Sequence, residues 1–235
     1  MKIPVMEIFG PTIQGEGMVI GQKTMFVRTG GCDYSCSWCD SRFTWDGSTR
    51  SNLMQAADIV SELEQIGGER FSHVTISGGN PALHKGIDEL IDLCHQKGWK
   101  VAIETQGSLW QEWMKKIDDV TISPKPPSSK METNYDTLDH YMEHLEDRNV
   151  SLKVVVFDDE DFEYAEYIHR RYPFVPFYLQ IGNEEVTSTD DTTLLSSLLK
   201  RYEWLVEKAT ESIIMNDAKV LPQLHTLIWG NKRGV

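Results

Sequence analysis

The chain lacks any apolar stretch long enough to cross a bilayer. Its longest run of aliphatic and aromatic residues is Val154-Val155-Val156-Phe157, against the roughly 20 residues that a transmembrane helix needs. An export signal is missing as well, because Pro4, Glu7 and Gly10 interrupt the segment after Met1-Lys2. Cytoplasmic residence is the expectation. Positive charge is scarce: 23 Lys and Arg stand against 36 Asp and Glu, a net charge of −13. Such an excess repels phosphate backbones at long range, so neither nucleic acid nor a membrane is an expected partner. A small anionic ligand held by a few local cations stays open. Cysteine numbers only four, too few for a disulfide scaffold in a chain of this size.

What is there reads as an ordinary globular protein, with 40% hydrophobic and 25% charged residues over 235 positions. There is no repeat, low-complexity tract or convincing linker, so a single domain over 1–235 is expected. Strand-like runs near 3–9, 24–29, 73–77, 100–104, 119–122, 150–157 and 175–181 alternate with helical patterns. The helices are expected near 54–66, 84–97, 109–116, 135–147, 160–172 and 192–208. Gly67-Gly68 and Gly98 stand where helices should end. The segment 123–134, with three prolines and Lys125, reads as a functional loop. This alternation predicts an α/β fold with a mostly parallel sheet. Seven strands are few for a closed eightfold barrel of about 250 residues, so a partial TIM-like β/α barrel is expected. Ligands should gather at the carboxyl ends of its strands.

The cysteines carry the sharpest chemistry. Cys32, Cys36 and Cys39 have the spacing C-x3-C-x2-C, while Cys94 stands alone among Leu90, Ile91 and Leu93 as a small core residue. Three thiolates on one loop suit three irons of a cubane cluster and leave the fourth iron open. Two other readings remain: a structural zinc, which normally needs four protein ligands, and a Cys36–Cys39 redox pair.

Here the chain resembles a known family. The triad followed by Asp40, with Trp38 before the last cysteine, resembles the radical S-adenosylmethionine (SAM) signature. Gln14-Gly15-Glu16-Gly17 resembles the Q-G-E-G segment of the 7-carboxy-7-deazaguanine synthase family. The likeness continues through Phe26-Val27-Arg28, Thr75–Gly79, Ile103–Gly107, Ser123-Pro124-Lys125 and Gln223-Leu224-His225. It implies a [4Fe-4S] cluster, SAM and Mg2+ as cofactors, a reductant such as flavodoxin or ferredoxin, and a homodimer. The implied reaction belongs to queuosine biosynthesis. In it, 6-carboxy-5,6,7,8-tetrahydropterin becomes 7-carboxy-7-deazaguanine with loss of ammonia, through a radical made on SAM.

The same resemblance assigns the site residues. Ile13, Gln14, Gly15, Glu16, Arg28, Ser77 and His225 would meet substrate, with Arg28 on its carboxylate. An Arg paired with one of the many acids is the plain alternative. Trp38, Asp40, Gly79, Glu104, Ser123, Pro124, Lys125 and Gln180 would meet SAM, and Ser41 would ligate Mg2+ unless Asp40-Ser41 merely forms a turn. Glu104, Ser123 and Gln180 fall at the ends of separate predicted strands, as the site rule requires. Asn80 stands where the superfamily's G-G-E-P segment has glutamate, so its amide carbonyl is left as an acceptor for SAM. Two rivals lie outside this family. A glycyl-radical activase gives no reason for the Q-G-E-G segment, and a non-catalytic zinc module is separable by counting iron.

Overall fold

In the computed structural model, which describes residues 1–235, nine strands form one sheet. They are β1 (Ile3–Ile13), β2 (Lys23–Thr29), β3 (Asn52–Met54), β4 (His73–Gly78), β5 (Lys100–Thr105), β6 (Asp119–Ile122), β7 (Val150–Val156), β8 (Phe177–Ile181) and β9 (Lys219–Leu221). Their spatial order is β3-β1-β2-β4-β5-β6-β7-β8-β9. From β2 to β9 every neighbouring pair is parallel, and β1 runs antiparallel between β2 and β3. The sheet stays open between β3 and β9, which makes it a partial TIM-like barrel.

Six helices connect or flank the strands: α1 (Ala56–Gly67), α2 (Ile87–Gln96), α3 (Tyr135–His144), α4 (Asp159–Arg171), α5 (Asp191–Glu211) and α6 (Leu224–Trp229). Their registers follow from apolar spacing. In α2, Ile87, Leu90, Ile91 and Cys94 fall on one stripe and are fully buried. Asn134, Asp158 and Asp190 cap α3, α4 and α5 by accepting from backbone N–H groups of the first turn. Gly68 and Gly98 end α1 and α2 at φ of +56° and +74°, where a side chain would be strained.

The period-two alternation of the strands separates two environments. On β7, Leu152, Val154 and Val156 enter the 40-residue core beneath the helices. Ser151, Lys153 and Val155 occupy alternate positions and belong to the inner face. Thr24 and Thr75 join across that face at 3.0 Å, and His73 Nδ1 lies 2.8 Å from Thr24 Oγ1.

Five elements depart from the sequence expectation. Residues 109–116 hold only a 3-10 turn at Glu112–Lys116 that buries Trp113 and Met114. Strand β1 continues past Gly10-Pro11 because a shift of register between Phe9 and Thr12 absorbs them. Strands β3 and β9 are three residues each, too short to show a period. Helix α6 spans six residues and carries too little pattern to be foreseen.

Candidate active site

The three-cysteine segment leaves the carboxyl end of β2, and two glycines fix where it can lie. A Cβ on Gly79 would sit 2.0 Å from the Gly31 carbonyl oxygen, and one on Gly78 would sit 2.2 Å from that of Thr29. Only glycine lets the end of β4 press against the start of this loop. The contact is closed by Asn80 N–H donating to Gly31 O at 2.8 Å. The far side of the loop is fastened to segment 123–134. Ser37 Oγ donates to Ser128 O at 2.6 Å, Trp38 Nε1 donates to Ser128 Oγ at 2.9 Å, and Tyr34 Oη donates to Glu132 O at 2.5 Å.

All four cysteines are free thiols. Burial pushes the Cys32, Cys36 and Cys39 thiols above their ordinary range, Cys36 to about 11. Thiols of this kind become thiolates when a metal takes them. A structural zinc normally takes four protein ligands, whereas this loop offers three thiolates, each of which can serve its own iron of a cubane. N–H groups already point at the sulfurs: Tyr34 N and Trp45 Nε1 at 3.4 Å from Cys32 and Cys39 Sγ, and Gln106 Nε2 at 3.6 Å from Cys32 Sγ. The residues present therefore fit a [4Fe-4S] cluster with one open iron.

Asn80 differs from its expected part. Its buried side chain caps the turn at Pro81–Leu83, with Oδ1 accepting from Ala82 N at 3.2 Å and from Thr105 Oγ1 at 2.9 Å. That carbonyl is already occupied and is not an acceptor held ready for SAM. Its Nδ2 and Gln106 Nε2 both donate to Asp33 Oδ1 at 2.7 Å. Asp33, beside Cys32, thus supplies a carboxylate that sequence reasoning did not single out.

A cavity of about 270 Å³ opens over the carboxyl ends of the strands and is lined in part by the cysteine loop. Ile13 at the end of β1 and Gln14, Gly15 and Glu16 just after it enter its wall. Arg28, Ser77 and Glu104 reach it from the ends of β2, β4 and β5, and Ser123 and Lys125 from just beyond β6. Trp38, Asp40, Ser41, Gly79 and His225 complete the set. Two expected residues are elsewhere. Pro124 does not line the cavity, and Gln180 is fully buried below it. Gln180 lies one residue before the end of β8 and pairs with Leu221 of the unforeseen neighbouring strand β9.

Arg28 makes the acid pair of the plain alternative and also lines the cavity. Its Nε pairs with Glu7 Oε1 at 2.8 Å, and its NH1 donates to Ser41 Oγ at 2.7 Å. Phe9 and Phe43 flank the guanidinium at 5.7 Å. One carboxylate placed here could meet Arg28 and an ion on Ser41 together. Lys125 folds back onto Ser123, donating to its carbonyl at 2.9 Å and its hydroxyl at 3.1 Å. The tail also reaches the cavity: Asn231 to Val235 line its mouth, and Arg233 stacks 3.4 Å over the Phe43 ring.

The wall also holds a buried charged residue that the motifs did not reveal. Lys153, 1% exposed, donates to Glu16 Oε2 at 2.6 Å and to Glu104 Oε1. Burial alone would raise the Glu16 carboxyl, but the Lys153 ammonium, with help from His225 and Gln223, holds it at about 2. Burial likewise opposes the Lys153 charge, and the two carboxylates outweigh it and hold the ammonium above the ordinary lysine range. The available signal was a lysine alternating with Leu152 and Val154 inside an otherwise apolar strand. Glu16, Asp40 and His225 also bring ligand atoms within 4.8 Å of one another. Both Glu16 oxygens are engaged by Lys153 and Gln223, so this trio reads as a charge pair with neighbours.

Residues 26–178 match the Radical SAM superfamily. The 7-carboxy-7-deazaguanine synthase of Bacillus cereus is 63% identical over 236 residues, covering 100% of this chain and 99% of the relative. That of Bacillus subtilis is 61% identical, covering 99% and 98%. The crystal structure of QueE from Escherichia coli superposes with a TM-score of 0.71 at 23% identity, covering 95% of each chain, which shows the shared fold. The chain belongs to the 7-carboxy-7-deazaguanine synthase family of the Radical SAM superfamily.

Proposed function

We propose that the chain converts 6-carboxy-5,6,7,8-tetrahydropterin to 7-carboxy-7-deazaguanine with loss of ammonia, a step in queuosine biosynthesis. The observation that carries this reading is the shared cavity, which joins the cysteine loop to the Gln14–Gly17 segment and Arg28. When bound, the cluster and SAM supply one-electron cleavage of SAM and a carbon radical able to remove hydrogen from the pterin. The protein's part is to bind, orient and exclude water.

Arg28 takes the substrate carboxylate through its remaining guanidinium N–H groups, a planar match that a lysine does not offer. Ser41 offers a hydroxyl oxygen to Mg2+, which prefers hard oxygens and takes its other ligands from substrate and water. Glu16 accepts from N–H donors of the pterin, with Gln14, Gly15 and His225 beside it. Glu104, Ser123, Lys125, Asp40 and Gly79 form the SAM side, with Trp38 as an apolar wall packed on Phe157 at 4.8 Å. The carboxyl-terminal tail shields the mouth from water. This assignment takes 1–235 as one catalytic domain that works in the cytoplasm as a homodimer and receives its electron from a flavodoxin or ferredoxin.

The test is anaerobic incubation of the reconstituted protein with SAM, Mg2+, a reductant and the carboxytetrahydropterin. A deazapurine carboxylate formed over many turnovers supports the reading. A protein with a full complement of iron that consumes no pterin overturns it.

A further inference from the structure

Lys153 is used by no step above, yet its position is the most demanding in the molecule. Its ammonium lies on the inner face of β7 and is almost wholly withdrawn from water. An unpaired ammonium there would destabilise the fold by several kcal/mol, so its partners are obligatory. Those partners come from two different walls. Glu16 belongs to the segment after β1, and Glu104 lies one residue before the end of β5. Both are cavity-lining carboxylates, and one ammonium holds both.

We propose that Lys153 is a positioning residue whose ammonium clamps Glu16 to Glu104, fixing the spacing of the pterin wall and the SAM wall. The clamp rests on the function proposed above only for which ligand each carboxylate meets. Lys153 itself is a poor acid toward substrate, because the two carboxylates that accept from it hold its ammonium above the ordinary lysine range.

Other cations do not replace it. Arg28 is committed to Glu7 and Ser41, and Lys125 to Ser123. The remaining charged or titratable groups facing Glu16 are the Asp40 carboxylate and the His225 imidazole, with ligand atoms within 4.8 Å, and Gln223 adds a neutral donor at 3.1 Å. Without the ammonium, two buried like charges share one space. In that arrangement one carboxylate takes a proton as the pH falls toward neutrality.

The test compares wild type, Lys153→Met and Lys153→Arg, all loaded with cluster and checked for equal iron. In Lys153→Met, kcat/KM for the carboxytetrahydropterin should fall about a hundredfold at pH 6.5 and recover about tenfold by pH 8.5, the course expected when a carboxyl acquires a raised pKa. Wild type should show no such acid limb. Lys153→Arg keeps the cation with different reach, so its profile should match the wild type while KM rises. Infrared difference spectra without substrate give the direct signature. A protonated carboxyl C=O band should appear near pH 6.5 in Lys153→Met and be absent from wild type and Lys153→Arg. A drop in activity parallel to wild type at every pH, without that band, overturns the clamp. So does a new acid limb in Lys153→Arg, which stays informative if the Met variant does not fold. A wild type that ignores the pterin sinks the function proposed above, whereas the substrate-free band judges the clamp alone.

Discussion

The two faces of one sheet obey different rules. Toward the helices, Val27, Ile76, Ile103, Ile122, Val154 and Leu179 are all buried in a single hydrophobic core. Toward the inside, the alternate positions of the same strands hold Arg28, Ser77, Glu104 and Lys153. In a closed barrel the interior is filled with packed side chains. Here the open inner face is polar, and each buried charge on it needs a partner from another strand or loop. The outer face gives stability through area removed from water. The inner face gives chemistry through exact pairing of charges, at some expense in stability.

The largest contrast is between cysteines. Cys36→Ala should abolish the brown cluster and turnover, because two remaining thiolates rarely hold a cubane. Cys94→Ala, on the helix side, should keep full iron and turnover and lose about 1 kcal/mol of stability from the small space left behind. Iron counting and denaturant unfolding check both. Full activity in reconstituted Cys36→Ala would break the comparison.

The acid limb of stability sharpens it next. Glu16 titrates at about 2 in the fold against an ordinary 4.5. A depressed carboxylate adds stability above its unfolded value and loses it as pH falls from about 4.5 toward 2. The contribution is on the order of 2–3 kcal/mol. Unfolding of the wild type should therefore steepen across that window, and Glu16→Gln should flatten it. Equal slopes would mean that the clamp holds no such charge.

A smaller effect is expected at the ion. Ser41→Ala should weaken Mg2+ stimulation of turnover several-fold while leaving iron content and SAM binding intact. Turnover indifferent to Mg2+, or a mutant with full stimulation, would return Ser41 to the part of a turn residue that accepts from Arg28.

How far the sequence could be read follows the same division. The outer face was legible because hydrophobic period alone marks it: α2 and β7 lie where their spacing puts them. Short segments could be singled out one by one, and residues of Cys32–Cys39, Gln14–Gly17 and Ser123–Lys125 do come together at one cavity. The site was not legible where chemistry depends on residues far apart in the chain. Lys153 is 137 residues from Glu16, and no local pattern joins them. Gln180 stands near the end of β8 as expected, but its burial beside β9 was not foreseen, since β9 is three residues long and silent in the sequence. Asn80 looked like a ligand position and proved to be a cap, since only the fold brings Thr105 and Asp33 to it.

The most direct test of the account uses two adjacent residues of β2 that face opposite ways, Val27 and Arg28. Stability and kcat/KM for the carboxytetrahydropterin are measured on Val27→Ala and Arg28→Lys with equal iron. Val27→Ala should lose roughly 2 kcal/mol of stability, as buried methyl groups removed from a core do, with kcat/KM close to wild type. Arg28→Lys should keep the charge and lose the planar fork, so pterin affinity falls about ten- to a hundredfold while SAM binding stays normal. An Arg28→Lys enzyme with unchanged KM and full activity, or a Val27→Ala enzyme that folds normally and cannot turn over, would contradict the division of labour between the two faces.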